Sequence, residues 1–277
     1  MKVHDDRKGP HAVPQLDDED MAALLAALAC GSSRVECCQL GDRAVWIKRY
    51  QRLGPRIGQR LQWLAARLSG VTILRPAPIL DPQGMLDREV RQIEAFSAAG
   101  FRTPEILYRG KMALVLSHLG LPVSKQMSAL RDKDADAHDA LLVRCAVELG
   151  RLHAAGLCHG RPHPRDFILE NGEFCFLDFE EEPAAVMPLA TAQARDVWLL
   201  FLQIASRALK PETLDRAFVA WKLAAPAQTA VALAEIMPFF ARLLPLARFL
   251  LRIQNGQDLV RFVAATDYLA GVTQSQS

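Results

Sequence analysis

Apolar residues along the chain recur at two periods, and the switch between them divides the chain in two. Val45-Trp46-Ile47-Lys48-Arg49-Tyr50 alternates apolar and polar after the turn Gly41-Asp42, which is the period of a half-buried strand. Strands are therefore expected from about 34 to 50. Before them, Met21 to Ala29 reads as a helix, with the acidic stretch Asp17-Asp18-Glu19-Asp20 placed to stabilise its N-terminus. Arg88 through Phe96 opens another helix that ends near Gly100, and Leu114 to Gly120 reads as a strand and the link that follows it. From about Ala137 the period becomes helical: Ala140 through His153 keeps a continuous apolar face that stops near Gly156. Ala190–Ala208, Glu212–Ala224, Val231–Leu251 and Asp258–Ala270 read as further helices.

One segment breaks the helical half. Phe167 to Leu169 and Phe174 to Leu177 are apolar runs separated by Glu170-Asn171-Gly172-Glu173, the signature of a β-hairpin with Asp178 at its far end. The hairpin returns Asp178 to the neighbourhood of His159-Gly160-Arg161 and Asp166. Two carboxylates brought together beside a His-Gly-Arg loop suit a divalent cation and a polyphosphate, because hard oxygen ligands hold Mg²⁺.

Two other segments carry basic and apolar residues together. Between about 51 and 80 lies an insert in which Ile57, Leu61, Leu64 and Leu68 stand at helical spacing, with Trp63 nearby and Arg52, Arg56, Arg60 and Arg67 around them. It reads either as a helix packed on the first half or as one lying on an anionic membrane surface. Near the C-terminus, Arg242, Arg248 and Arg252 stand among Leu243, Leu244, Leu246, Leu250 and Leu251, and core packing with exposed arginine heads is the expectation. Residues 1–18, rich in charge and proline, read as a flexible leader.

Composition narrows the class. A chain of 277 residues with 51% hydrophobic content can bury a substantial core, and a formal net charge of +2 gives no nucleic-acid footprint. Six cysteines, lying mostly in apolar segments without a C-x-x-C pair, are expected as buried reduced thiols. The N-terminus lacks the apolar core of a signal peptide and later apolar runs are cut by Arg, Lys or Pro, so a cytoplasmic protein is expected. No G-x-S-x-G pattern supports hydrolysis, and His153, His159 and His163 lack the rigid i, i+4 presentation of a zinc helix.

The landmarks together resemble the protein kinases, and most closely the bacterial lipopolysaccharide kinases that phosphorylate inner-core sugars, with their small atypical relatives. The resemblance covers roughly residues 35 to 205. Its motifs are Trp46-Ile47-Lys48, Arg88-Glu89, Leu152-His153-Ala154-Ala155-Gly156, His159-Gly160, Asp178-Phe179-Glu180 and Arg195-Asp196. It implies an α+β, bilobal kinase-like fold: an N-lobe of sheet and helix over residues 19–118 and a helical C-lobe over 119–277. It also implies ATP with Mg²⁺, or Mn²⁺ in its place, Lys48 on the α- and β-phosphates, and Glu89 (or Glu94) as the partner of Lys48. Asp178 and Asp166 would hold metal. Two departures stand out: Arg161 falls where the kinase catalytic Asp belongs, and no glycine-rich loop precedes Lys48, Gly31-Ser32-Ser33 being the sole candidate nearby. A guanidinium cannot accept a proton, so Arg161 would instead neutralise phosphate charge. The implied activity is phosphate transfer to a hydroxyl of a lipopolysaccharide-type glycolipid or other small envelope substrate, peripheral to the cytoplasmic face of the inner membrane. The alternative is a pseudokinase that binds nucleotide or recruits a partner without transfer.

Overall fold

A computed structural model of the chain describes residues 17–51, 80–253 and 256–274, with isolated positions 73, 75 and 78. The amphipathic segment at 57–68 and nearly all of the leader lie outside the described residues. Helix α1 (Asp18–Cys30) starts where Asp17 accepts a hydrogen bond from the Asp20 amide at 2.8 Å, and Asp18, Glu19 and Asp20 fill its first turn. Strands β1 (Val35–Leu40) and β2 (Arg43–Arg49) follow, then helix α2 (Pro82–Ala98) and strands β3 (Ile106–Arg109) and β4 (Ala113–Ser117). The strands form one antiparallel sheet in the order β1-β2-β4-β3.

Alternation along the central strands decides what each sheet face buries. Val45 and Ile47 of β2 and Val115 of β4 pack with Leu24 of α1 on one side. Leu114 and Leu116 point the other way, into a core shared with Leu86, Val90, Ile93 and Phe96 of α2. Trp46 and Lys48, on the β2 face opposite Val45 and Ile47, line a cavity below the sheet.

The second half is mainly helical: α3 (Val123–Leu130), α4 (Ala135–Ala154), the hairpin β5 (Phe167–Glu170) and β6 (Glu173–Phe176), then α5 (Leu189–Arg207), α6 (Thr213–Ala224), α7 (Ala227–Ala241), α8 (Leu244–Ile253) and α9 (Gln257–Gln274). The hairpin turns on Asn171 and Gly172, both at positive φ (51° and 85°), the primed turn whose twist matches a tight two-residue connection. Helices α4 and α6 approach closely because Gly150 lacks a side chain; a Cβ there would lie 2.8 Å from the Trp221 carbonyl oxygen.

Several boundaries differ from the pattern-based expectation. Helix α2 begins at Pro82, six residues before Arg88, because Asp81 caps the Gly84 amide at 2.8 Å. The helix expected from Val231 to Leu251 is two helices inclined by 49°, with Pro238 inside the first and Pro245 in the first turn of the second. Helix α8 also departs from core packing. Leu244 and Ala247 are buried, while Leu246, Phe249, Leu250 and Ile253 are exposed. The cysteines are free, yet Cys30 and Cys37 are exposed rather than buried, since α1 ends at Cys30 and Cys37 alternates outward on edge strand β1. Among the described residues no single helix is long and apolar enough to cross a membrane.

The helical half is pinned by one buried carboxylate. Asp139 of α4 accepts from the Lys210 amide at 2.9 Å, the Leu209 amide at 3.0 Å, Thr213 Oγ1 at 2.5 Å and the His138 ring at 2.7 Å. Truncation would leave these donors buried without an acceptor. Asp139→Ala is expected to lower stability by about 3 kcal/mol in urea unfolding, with Asp139→Asn intermediate.

Candidate active site

The site is built around a buried amine. Lys48, at the end of β2 and 6% exposed, donates to Glu89 Oε1 at 2.9 Å and to Asp178 Oδ1 at 2.9 Å, and its Nζ lies 3.1 Å from Glu180 Oε1. Burial alone would lower the proton affinity of the amine, but Glu89, Asp178 and Glu180 outweigh it and raise it, so Lys48 stays an ammonium. Glu89 is itself 1% exposed and also accepts from the Tyr50 hydroxyl at 2.6 Å. Glu94, the other helix carboxylate considered, is exposed on α2.

Backbone links bring the second half to this amine. The Leu177 amide donates to the Asp166 carbonyl at 2.8 Å, which sets the end of β6 beside the residue that precedes β5. Asp178 follows in a left-handed conformation, φ 64°, which turns the chain sharply there. Behind it, Arg88 donates to the Glu180 carbonyl at 2.6 Å, so α2 holds the acidic turn by its backbone as well as through Lys48. The loop before β5 is fixed from α5: Asp196 accepts from the amides of His159 (2.6 Å) and Gly160 (2.9 Å), and Arg195 joins the Gly160 carbonyl (2.7 Å) to Glu181 (2.6 Å). Gly160 has φ 94°, and a Cβ there would lie 2.5 Å from the Glu181 carbonyl oxygen.

The two carboxylates titrate in opposite directions. Burial pushes Asp178 up, but the Lys48 ammonium, with help from Arg161, brings it down to about 2. Asp166 has no such partner. Burial and the neighbouring Asp178 raise it to about 7, against the weaker pull of Arg165 and Arg161. Its Oδ1 accepts from Arg165 Nε at 3.3 Å, whereas Oδ2 is buried with no hydrogen-bond partner.

Lys48, Glu89, Arg161, Asp166 and Asp178, the residues singled out from sequence, all line one cavity of about 400 Å³. Arg161 is exposed there and makes no hydrogen bond or ion pair with the described residues. Val35, Trp46, Leu116, Leu119, Ile168 and Leu177 supply an apolar wall, and the Trp46 indole stacks on His118 with ring centroids 6.0 Å apart. Two members of the site escaped the sequence reading. Arg34 pairs with Glu180 across the cavity mouth, and Glu180, quoted from sequence only as part of the Asp178-Phe179-Glu180 motif, was given no role there. Glu180, Glu181 and Glu182 are each paired, with Lys48 and Arg34, Arg195, and Arg91 respectively.

Other candidate groups are occupied elsewhere. Gly31-Ser32-Ser33 does not line the cavity, because Arg49 gathers the Ala27 and Ser33 carbonyls and Glu36 around its guanidinium. His159 sits among Phe96, Phe167, Phe176 and Phe179, and burial lowers its proton affinity, so it packs as a neutral ring. His153 accepts from Trp221 at 3.3 Å and His163 contacts Arg207 at 3.2 Å. Among the described residues no three His, Cys, Asp or Glu side chains gather into a metal cluster.

A buried lysine on an inner strand, salt-bridged to a helix glutamate and facing an Asp-Phe turn after a hairpin, is similar to the lysine–glutamate pair and Asp-Phe-Gly turn of the protein kinases. No family model matches the chain. An uncharacterized protein of Haemophilus influenzae is 29% identical over 117 residues, 41% of this chain and 46% of the relative, so the match spans about half the relative's length. Choline kinase LicA from Streptococcus pneumoniae superposes with a TM-score of 0.40 at 12% identity, covering 91% of this chain and 99% of that one. The Rio2 kinase from Chaetomium thermophilum, in an ADP/Mg²⁺-phosphoaspartate complex, gives 0.38 at 16% identity, covering 94% and 77%. The MAP kinase LmaMPK10 from Leishmania major gives 0.38 at 17% identity, covering 76% and 68%.

The raised Asp166 has a measurable consequence. Between about pH 4 and 7 the folded protein holds a proton on Asp166 that the unfolded chain has released, so this group's contribution to stability falls as pH rises through that window. Asp178, depressed to about 2, contributes stability that is complete above pH 4 and is lost only in stronger acid. Asp166→Asn is therefore expected to gain stability over wild type progressively from pH 4 to 7, reaching about 2–4 kcal/mol, and to hold a constant gain above pH 7. Urea midpoints across this range measure it; a pH-independent difference would contradict the assignment.

Proposed function

We propose that the protein is an ATP- and Mg²⁺-dependent phosphotransferase acting on a hydroxyl of a lipopolysaccharide-type glycolipid or another small envelope substrate. The observation that carries this reading is the convergence of Glu89, Asp178 and Lys48, from three separate elements, on one cavity. Lys48 would contact the α- and β-phosphates while Glu89 holds it in place. Trp46, two residues earlier on the same strand face, offers a flat apolar surface to a purine base.

The residues present fit a hard divalent cation. Asp166 Oδ2 is a buried oxygen without a partner, and Mg²⁺ characteristically takes one or two carboxylates and completes its shell with phosphate oxygens and water. Asp178 and Asp166 would hold it, and once bound it would offset phosphate charge. Arg161 would bind the transferred phosphoryl group through its fork of donors. It cannot take the proton from the acceptor hydroxyl. Asp166, which lines the same cavity, would instead orient that hydroxyl.

A second reading is favoured by the same arginine. With Arg161 where a kinase base belongs, the protein would be a pseudokinase that binds nucleotide without transferring phosphate. Incubation with labelled ATP, Mg²⁺ or Mn²⁺ and an envelope lipid extract separates the two. Label transferred by wild type and reduced at least about 100-fold in Asp178→Ala is the expected result. Nucleotide-dependent thermal stabilisation without transfer would support the pseudokinase, and neither signal would refute nucleotide binding altogether.

Helix α8 supports a membrane-apposed acceptor, and the location proposed with it is the cytoplasmic face of the inner membrane. Leu246 (58% exposed), Phe249 (57%), Leu250 (42%) and Ile253 (69%) fall within about 100° of its circumference. Arg242 and Arg252 accompany them, Arg248 being turned to the other side and paired with Asp267 of α9, and residues 242–253 contain no acid. Ten residues rise only about 15 Å, too short to span a bilayer, so the helix would lie in the plane of an anionic surface. Flotation with phosphatidylglycerol vesicles is expected to retain the wild type, with binding reduced about tenfold or more in Phe249→Ser/Ile253→Ser and on pure phosphatidylcholine. Equal recovery on both lipids would remove the proposal.

A further inference from the structure

Kinases cover the nucleotide phosphates with a glycine-rich loop ahead of the lysine strand. Here α1 runs into β1 through Gly31-Ser32-Ser33, which Arg49 holds away from the cavity. The residue that enters the cavity from this connection is Arg34, the last before β1. Its side chain is 40% exposed and ends on the Glu180 carboxylate, whose other close cation is Lys48 at 3.1 Å.

Glu180 thus places one anionic group between two cations at the mouth of the cavity. A phosphate oxyanion makes the same demands on a guanidinium and an ammonium as a carboxylate does. The Glu180 backbone is held by Arg88 from α2, so the carboxylate is presented from a fixed base while its tip is one-third exposed. The outer arm of this arrangement, Arg34 to Glu180, is partly exposed on both sides, and such pairs contribute little to stability. A glycine at this turn, as in the Asp-Phe-Gly of kinases, would place no charge there.

We propose that Arg34 is a phosphate-binding residue acting in place of the glycine-rich loop, and that Glu180 competes with the nucleotide phosphates for it and is displaced by them. The inference rests on the nucleotide-binding reading above and adds to it a residue and a competition. Nucleotide phosphates must exchange with an internal anion, so affinity is set by the difference between the two.

The test is equilibrium binding of ADP and of a non-hydrolysable ATP analogue to the full chain, by calorimetry, with and without Mg²⁺. Glu180→Gln is expected to bind about 5- to 20-fold tighter in both conditions, and Arg34→Ala about tenfold weaker. In the Arg34→Ala background the gain from Glu180→Gln should shrink, because the freed partner is gone. Both side chains are partly exposed, so circular dichroism should show these variants folded. Glu180→Gln binding no tighter than wild type, or weaker only with Mg²⁺ as a metal ligand would behave, overturns the inference while leaving the nucleotide reading intact. Additive effects of the two substitutions also overturn it. Failure of wild type and every variant to bind either nucleotide overturns both.

Discussion

A buried ammonium is the constraint on which the rest of the structure depends. An unpaired charge in an apolar interior is costly, so Lys48 requires anions, and it draws them from α2 and from the turn after β6. That requirement sets how the sheet sits on the helical half. It also leaves Glu89 doubly fixed, since the Tyr50 hydroxyl takes its other side. The geometry of the cleft is in this sense an electrostatic solution to burying one residue, and packing of Phe96 against Phe176 and Phe179 closes the seam behind it.

Two carboxylates at the two ends of one hairpin end with very different proton affinities because only one of them reaches Lys48. Asp178 is held ionised, while Asp166 is left with one oxygen unpartnered and titrates near neutrality. Chemistry that needs one permanent anion and one exchangeable proton site is served by such a split. The support beneath it is rigid: Arg195 and Asp196 clamp the His159-Gly160 backbone, and the aromatic cage around His159 excludes water from behind the turn.

Much of this was legible in the sequence because each signal was local. Strand alternation put Trp46 and Lys48 on one face, the Asn171-Gly172 turn fixed the hairpin, and the hairpin's length returned Asp178 to Asp166. What escaped depended on contacts between distant segments. The Arg34–Glu180 pair joins positions 146 residues apart, and nothing near either residue marks it. The pairing of the acidic run after Phe179 escaped too, because its four arginine and lysine partnerships come from β2, α2, α5 and the residue before β1. Helix α8 misled for a different reason: its periodicity identifies an apolar face correctly, but periodicity does not say whether protein covers that face.

Arg88 and Glu89 are consecutive, yet they grip the cleft by different means, one through the Glu180 carbonyl and the other through the Lys48 amine. Helix α2 and the acidic turn are therefore yoked mechanically. A tilt of the helix would carry the acidic turn with it, through the Arg88 bond and through the lysine that both share, rather than swing α2 out alone.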